Sequence, residues 1–374
     1  CLSIPRRAGV LCERISGLFP VPGRVVTLTT SGEEAVQCAL RTAMAATGRP
    51  GLLRVDPFAP APGVQVRVST GMAVLPGSVP ANLAMVEAAL DESVGALFLE
   101  PFVNELAPDG RAAAAQLYQS IAQLCRSRGT VLVVDERLTA MRTAAVFAFP
   151  DLGLDPDIVL LGESLGAAAV PLGATCVRPE LWELASQHFP GSPVAISPLG
   201  GNDLGAVAGL ATLDRVEDPA FWEGVRASGL ELREGLTGVV ERYAFATKAY
   251  GAGLLWHLRC AAPMDEALEG LRDDITARSP GALRTMIREL PVDVRQTGTV
   301  WSALFADALE QFLFDRINTK LAQDHHILLD RTRRASRTLL MAPPLTISTA
   351  QVQRFARALD AVFDDLSTFD IGAR

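Results

Sequence analysis

Short apolar, β-branched runs alternate with longer helical stretches along the first half of the chain. The runs Arg24–Thr30, Gly51–Val55, Gln65–Val68, Ala96–Glu100, Thr130–Asp135, Ile158–Leu161 and Ala174–Arg178 read as strands. Glu33–Thr47, Pro80–Asp91, Arg111–Arg128 and Pro179–His188 read as helices. TVLVVD and DIVLLG are apolar almost throughout, as strands buried on both faces are. The βαβα order predicts an α/β fold: a mostly parallel central sheet with helices on both faces.

Past Gly200 the pattern changes. Gly201–Arg242 reads as one or two long helices, Gly251–Arg259 as a strand with one exposed face, and the regions near 302–322 and 349–367 as helices. We expect three parts: an N-terminal segment 1–23, a large α/β domain 24–235 and a smaller α+β domain 236–374. Ligands on open α/β sheets bind at the edge where strand C-termini meet helix N-termini. A ligand is therefore expected at that edge.

Composition narrows the classes. At 374 residues, 49 % hydrophobic and 20 % charged, the chain can bury a core in each domain. A net charge of −8 leaves no basic stripe for nucleic acid. No apolar run reaches the roughly eighteen residues of a membrane span. The opening CLSIPRRAGVLCERISGLFP makes a poor signal peptide, and a cytoplasmic protein is expected. The first residue is not Met, which points to sequence upstream. Cys1, Cys12, Cys38, Cys125, Cys176 and Cys260 form no CxxC, and the four His form no HExxH, so no metal site is expected. Of 34 basic residues only Lys248 and Lys320 are lysine.

Five stretches, in order, carry a resemblance. TTSGEEAVQCALRTAMAATGRP (29–50) follows S-G-T/S-E-A, a helix and T-G-R. VVDERLTAMRT (133–143) follows D-E-V-Q-T-G-F-x-R-T, and PDIVLLGESLGAAAVPLGA (156–174) follows P-D-I-V-T-L-G-K-A-L-G-G-G then P-L-G-A. PLGGNDLGAVAGLATLD (198–214) follows T-F-G-G-N-P-L, and MAPPLTIS (341–348) a strand and turn before a last helix. Together they resemble the class III, pyridoxal-phosphate-dependent aminotransferases of fold type I, over about residues 20–366. Against the family's pattern we expect the N-terminal arm to be truncated and the stretch from about 270 to 320 to be longer than usual.

The resemblance implies where the cofactor would touch, and there the chain departs. The family's Schiff-base lysine falls on Glu163, which cannot form an aldimine. The phosphate cradle reads Ser31-Gly32-Glu33, with a carboxylate in place of a hydroxyl. A second phosphate ligand, a Thr from the other subunit, falls on Pro198. Asp135, the partner of the ring nitrogen, is kept, but Arg137 and Leu138 stand where a small apolar residue and a Gln are usual. VDPFAPAPG (55–63) lacks the family's ring-covering His. These departures lead us to expect that pyridoxal phosphate does not bind and that no cofactor is used.

The cleft then holds Glu33, Asp135, Arg137 and Glu163. Two readings stay open: a self-neutralising cluster in a dead pocket, or a rebuilt site. In the rebuilt site Glu163 and Asp135 are catalytic, and Arg137, Glu33, Ser31 and Gly32 bind substrate. Glu163 is expected within reach of Arg137, and Arg142 and Asn202 are read as structural. One function is a cofactor-independent biosynthetic enzyme performing elimination, cyclisation, isomerisation or hydrolysis of a small molecule. The other is a non-catalytic subunit that pairs with an active partner. Either is expected as a homodimer or heterodimer.

Overall fold

In the computed structural model, which describes residues 5–56, 73–76, 83–101, 108–188, 197, 199–260, 314–331 and 338–367, helix α1 (Arg6–Gly17) precedes an alternation of strands and helices. These are β1 (Val25–Thr29), α2 (Gly32–Thr47), β2 (Gly51–Asp56), β3 (Ala73–Pro76), α3 (Leu83–Ala89), β4 (Val94–Leu99), α4 (Pro108–Arg128), β5 (Val131–Asp135), β6 (Ile158–Leu161), β7 (Gly173–Val177) and α5 (Pro179–His188). The sheet order is β1-β7-β6-β5-β4-β2-β3. Strands β3, β2, β4, β5 and β6 pair in parallel, and β7 runs antiparallel to both β6 and β1. Every residue of β4, β5 and β6 is buried, as their unbroken apolar runs predict. Ala35, Ala39 and Ala43 give α2 a small-residue face in one core cluster with Phe98, Val133 and Leu160. Strand β3 is an addition that the sequence pattern did not signal. The expected strand Gln65–Val68, the stretch 57–63, Pro198 and residues 302–313 lie outside the described residues.

The expected helical stretch 201–242 is two helices, α6 (Asp203–Val216) and α7 (Pro219–Arg242). Pro219 cannot continue α6, and Asp218 Oδ1 accepts the amide of Ala220 at 2.9 Å to start α7. The expected strand 251–259 is also two elements, β8 (Ala246–Ala252) and β9 (Leu255–Cys260), which turn at Gly253 (φ +56°). β9 is not exposed on one face: five of its six residues are buried, because it lies between β11 (Thr338–Met341) and β8. Residues 314–325 form α8, Asp330–Arg331 form β10, and Thr349–Ser367 form α9. The second sheet runs β10-β11-β9-β8.

The chain divides into two compact units. One is Cys1–Gly229 with Gly251–Leu255, and the other is Leu230–Tyr250 with Trp256–Arg374. The candidate site and the 251–255 turn belong to the first.

Candidate functional site

Three chain turns meet at the C-terminal edge of the large sheet. The first is the start of α2. Ser31 is its N-cap, with Oγ accepting the Glu34 amide at 3.1 Å. Ser31, expected to bind substrate, is thus engaged in capping. Glu34 accepts the Thr30 amide and hydroxyl, both at 2.8 Å, and the Ser197 hydroxyl at 2.5 Å. The Ser197 hydrogen bond, followed by those from Thr30, holds Glu34 below the usual carboxylate range.

The second turn follows β5. Arg137 donates Nε to Asp135 Oδ1 at 2.8 Å and an Nη to Oδ2 at 2.9 Å, a bidentate grip. Its other Nη meets Glu33 Oε1 at 2.5 Å. Arg137 and Asp135 are largely buried, with side chains 14 % and 7 % exposed, whereas Glu33 is 80 % exposed. Burial pushes Asp135 up, but the hydrogen bonds and charge of Arg137, with the charge of Arg54, hold it below its ordinary value. Burial likewise works against the charge on Arg137, and Asp135 and Glu33 together keep its guanidinium more firmly protonated than usual. Gly32 is where the two turns touch. A Cβ there would lie 2.7 Å from Arg137 Cδ, so any side chain at residue 32 would push the arginine's aliphatic stem aside.

The third turn follows β6, where Glu163 opens a short 3-10 segment (Glu163–Gly166). Glu163 is expected within salt-bridge or water-bridged reach of Arg137; its described ion pair is with Arg142. Its Oε1 accepts from Arg142 at 3.1 Å, and Glu163 is 59 % exposed. Arg142 also donates to the carbonyls of Leu138 at 3.0 Å and Arg137 at 3.4 Å. The reason is geometric: Arg137 folds back on Asp135 and Glu33, and Arg142 fills the place beside Glu163. Leu254 donates its amide to the Arg142 carbonyl at 2.8 Å, so the 251–255 turn braces Arg142 from behind. Arg142, read from sequence as structural, is therefore part of the charged cluster.

Glu136 was also missed. It is fully buried, and its Oε1 accepts the Ala148 and Phe149 amides, both at 2.7 Å. Oε2 bonds the Thr139 hydroxyl. Burial pushes Glu136 up to about 7, further than these hydrogen bonds draw it down. The signal was present, since an acidic residue directly after the apolar run of β5 has no charged neighbour that could share its burial except Asp135 and Arg137, which take each other. Among the described residues no three His, Cys, Asp or Glu are grouped as a metal would need, and no helix is long and apolar enough to cross a membrane.

A family model described as aminotransferase class-III matches residues 73–363. Aminotransferase PigE of Serratia sp. is 28 % identical over 385 residues, which cover 98 % of this chain and 44 % of PigE. The chain thus spans less than half of that relative. Acetylornithine aminotransferase of Brucella melitensis is 30 % identical over 285 residues, 71 % of this chain and 68 % of the relative. Among solved structures, the ornithine aminotransferase of Toxoplasma gondii matches with a TM-score of 0.67 at 20 % identity, over 96 % of this chain and 76 % of that one.

These likenesses correct one expectation. The cleft was read as free of any cofactor, but the matches are to aminotransferases, and the Toxoplasma structure has partial occupancy of pyridoxal phosphate at its active site. Pyridoxal phosphate is the cofactor the family implies here. The local residues do not fit a lysine-linked form of it. Residue 163 is a carboxylate paired with Arg142, and Asp135 has both oxygens on Arg137. The start of α2 carries Glu33 and lies under the Arg137 stem.

Proposed function

Because this chain belongs to the class-III aminotransferase family, we propose that it is an enzyme that binds a carboxylate-bearing small molecule at Arg137 and moves protons with Glu163. The supporting observation is the asymmetry of Arg137. Its inner edge is fixed by Asp135 through two hydrogen bonds, while among the described residues its outer nitrogen meets an 80 % exposed glutamate. A guanidinium so held is pre-oriented for a ligand carboxylate, which would take the place of Glu33. The name of the Brucella relative, acetylornithine aminotransferase, is that of an enzyme for an amino-acid substrate with such a carboxylate.

In this reading Asp135 orients Arg137, and Glu163 Oε2, the oxygen with no described partner, gives or takes a proton. Elimination, isomerisation, cyclisation and hydrolysis are the reactions open to these groups. Ser31 and Gly32 shape the floor, one by capping α2 and the other by admitting the arginine stem. A companion role beside a second subunit is favoured by one separate observation. Val10, Leu199, Leu204 and Val207, from α1, the turn before α6 and the first turns of α6, are 40 %, 68 %, 67 % and 46 % exposed. Such apolar side chains suit burial in a homodimer or heterodimer.

Calorimetric titration with propionate tests the site. Wild type should bind it weakly, Glu33→Gln more tightly, and Arg137→Gln not detectably. Equal binding by the two variants would refute the assignment.

A further inference from the structure

The Arg137–Glu33 arrangement occurs twice. Arg142 is also mostly buried, with its side chain 14 % exposed, and its inner nitrogen is committed to the carbonyls of Leu138 and Arg137. Its outer nitrogen likewise meets an exposed carboxylate, that of Glu163, at 3.1 Å. Each guanidinium is anchored on its inner side and capped on its outer side by a glutamate that water reaches freely. Each capping carboxylate is solvated, so a ligand anion that reaches the guanidinium can take its place while the displaced glutamate returns to water. The two sites share one turn, and Gly162 packs against Arg137 directly before Glu163: a Cβ at Gly162 would lie 3.1 Å from Arg137 Cβ.

We propose that Arg142 is a second anion subsite of the same cleft, self-occupied by Glu163, so that the substrate carries two anionic groups and its arrival frees Glu163. This rests on the reading of Arg137 given above. It adds an order of events. The substrate's first carboxylate replaces Glu33 on Arg137, its second anionic group replaces Glu163 on Arg142, and the released Glu163 carboxylate becomes available for proton transfer. A ligand with one carboxylate would fill Arg137 and leave Glu163 capped. Nothing covalent is required of Arg142, whose backbone is held by Leu254 and whose side chain is held by the two carbonyls.

The test is a titration series of propionate, malonate, succinate and glutarate, which differ in the number and spacing of carboxylates. At least one dicarboxylate should bind about tenfold or more tighter than propionate, the gain expected for a charge-assisted hydrogen bond. Glu163→Gln removes the internal competitor. It should tighten that dicarboxylate about 2- to 5-fold and leave propionate unchanged. Arg142→Gln should abolish the dicarboxylate advantage, and Arg142→Lys should keep part of it. If no dicarboxylate outbinds propionate, or if Glu163→Gln leaves its affinity unchanged, the second subsite is refuted while the Arg137 site stands. If propionate itself ignores Glu33→Gln and Arg137→Gln, the underlying reading fails as well, and the two failures are told apart.

Discussion

Replacing Glu136 by Gln should make the protein more stable at pH 8 and leave it unchanged near pH 4.5. Glu136 is fully buried and its carboxyl is pushed up from 4.5 to about 7. A group whose folded value is raised contributes fully below its unfolded value and loses that contribution as pH rises through the folded value. A rise from 4.5 to about 7 corresponds to about 3 kcal/mol. Linkage over pH 5 to 8 recovers about 2.5 kcal/mol of it, lost by wild type and not by the variant. Gln reproduces the protonated acid: its oxygen can accept the Ala148 and Phe149 amides, and its NH2 can donate to the Thr139 hydroxyl. For a chain of this length, about 0.8 kcal/mol corresponds to one degree, so the variant should gain about 3 °C on wild type between pH 5 and pH 8. Paired thermal scans across that range measure it. Two Tm curves that run parallel from pH 5 to 8 would show that Glu136 takes up no proton on folding, and the reasoning from burial would be wrong.

Other outcomes follow from the same geometry. Ala168 sits at φ +55° on the exposed turn after Glu163, and Ala168→Gly should raise stability by about 1 kcal/mol in chemical denaturation. Gly253→Ala should cost about 2–3 kcal/mol or more, because the added Cβ would meet the Ala144 nitrogen at 2.4 Å from a residue at φ +56°; a melting temperature equal to wild type would count against that turn as the brace of Arg142. Once a substrate is in hand, Glu163→Gln should lower kcat about 10²–10⁴-fold with little change in Tm, and full turnover would remove Glu163 from the proton-transfer role. Asn202→Ala removes an acceptor 2.8 Å from the Gly205 amide, so it should cost about 1 kcal/mol and leave ligand titrations unaltered.

Strands β5 and β6 were legible because burial on both faces leaves no room for polar alternation. The meeting of Glu33 with Arg137 was legible only through the motif resemblance, since 104 residues separate them. Arg142 and Glu163 are 21 residues apart, and nothing in either local pattern says that Arg137 would turn inward and leave Glu163 to its neighbour. β9 was misread because a central strand of a small sheet loses the exposed face that alternation would report. The expectation of a cofactor-free cleft overreached in a different way. A carboxylate at residue 163 excludes a covalent aldimine there, which is a narrower statement than excluding the family's cofactor.

The antiparallel strand β7 fixes when the sheet can be finished. Among the described residues, the sheet neighbour of β1 (Val25–Thr29) is β7, which pairs Val25 with Val177. On a ribosome adding about 5–20 residues per second, β1 waits roughly 7–30 s for its partner to be synthesised. During that interval both its edges are open, and its VVTLT sequence is apolar and β-branched, the kind of segment that pairs with other chains. Fragments that end before Gly173 should therefore aggregate through the N-terminal strand more than those that extend past Val177, in which β7 can cover one of its two edges.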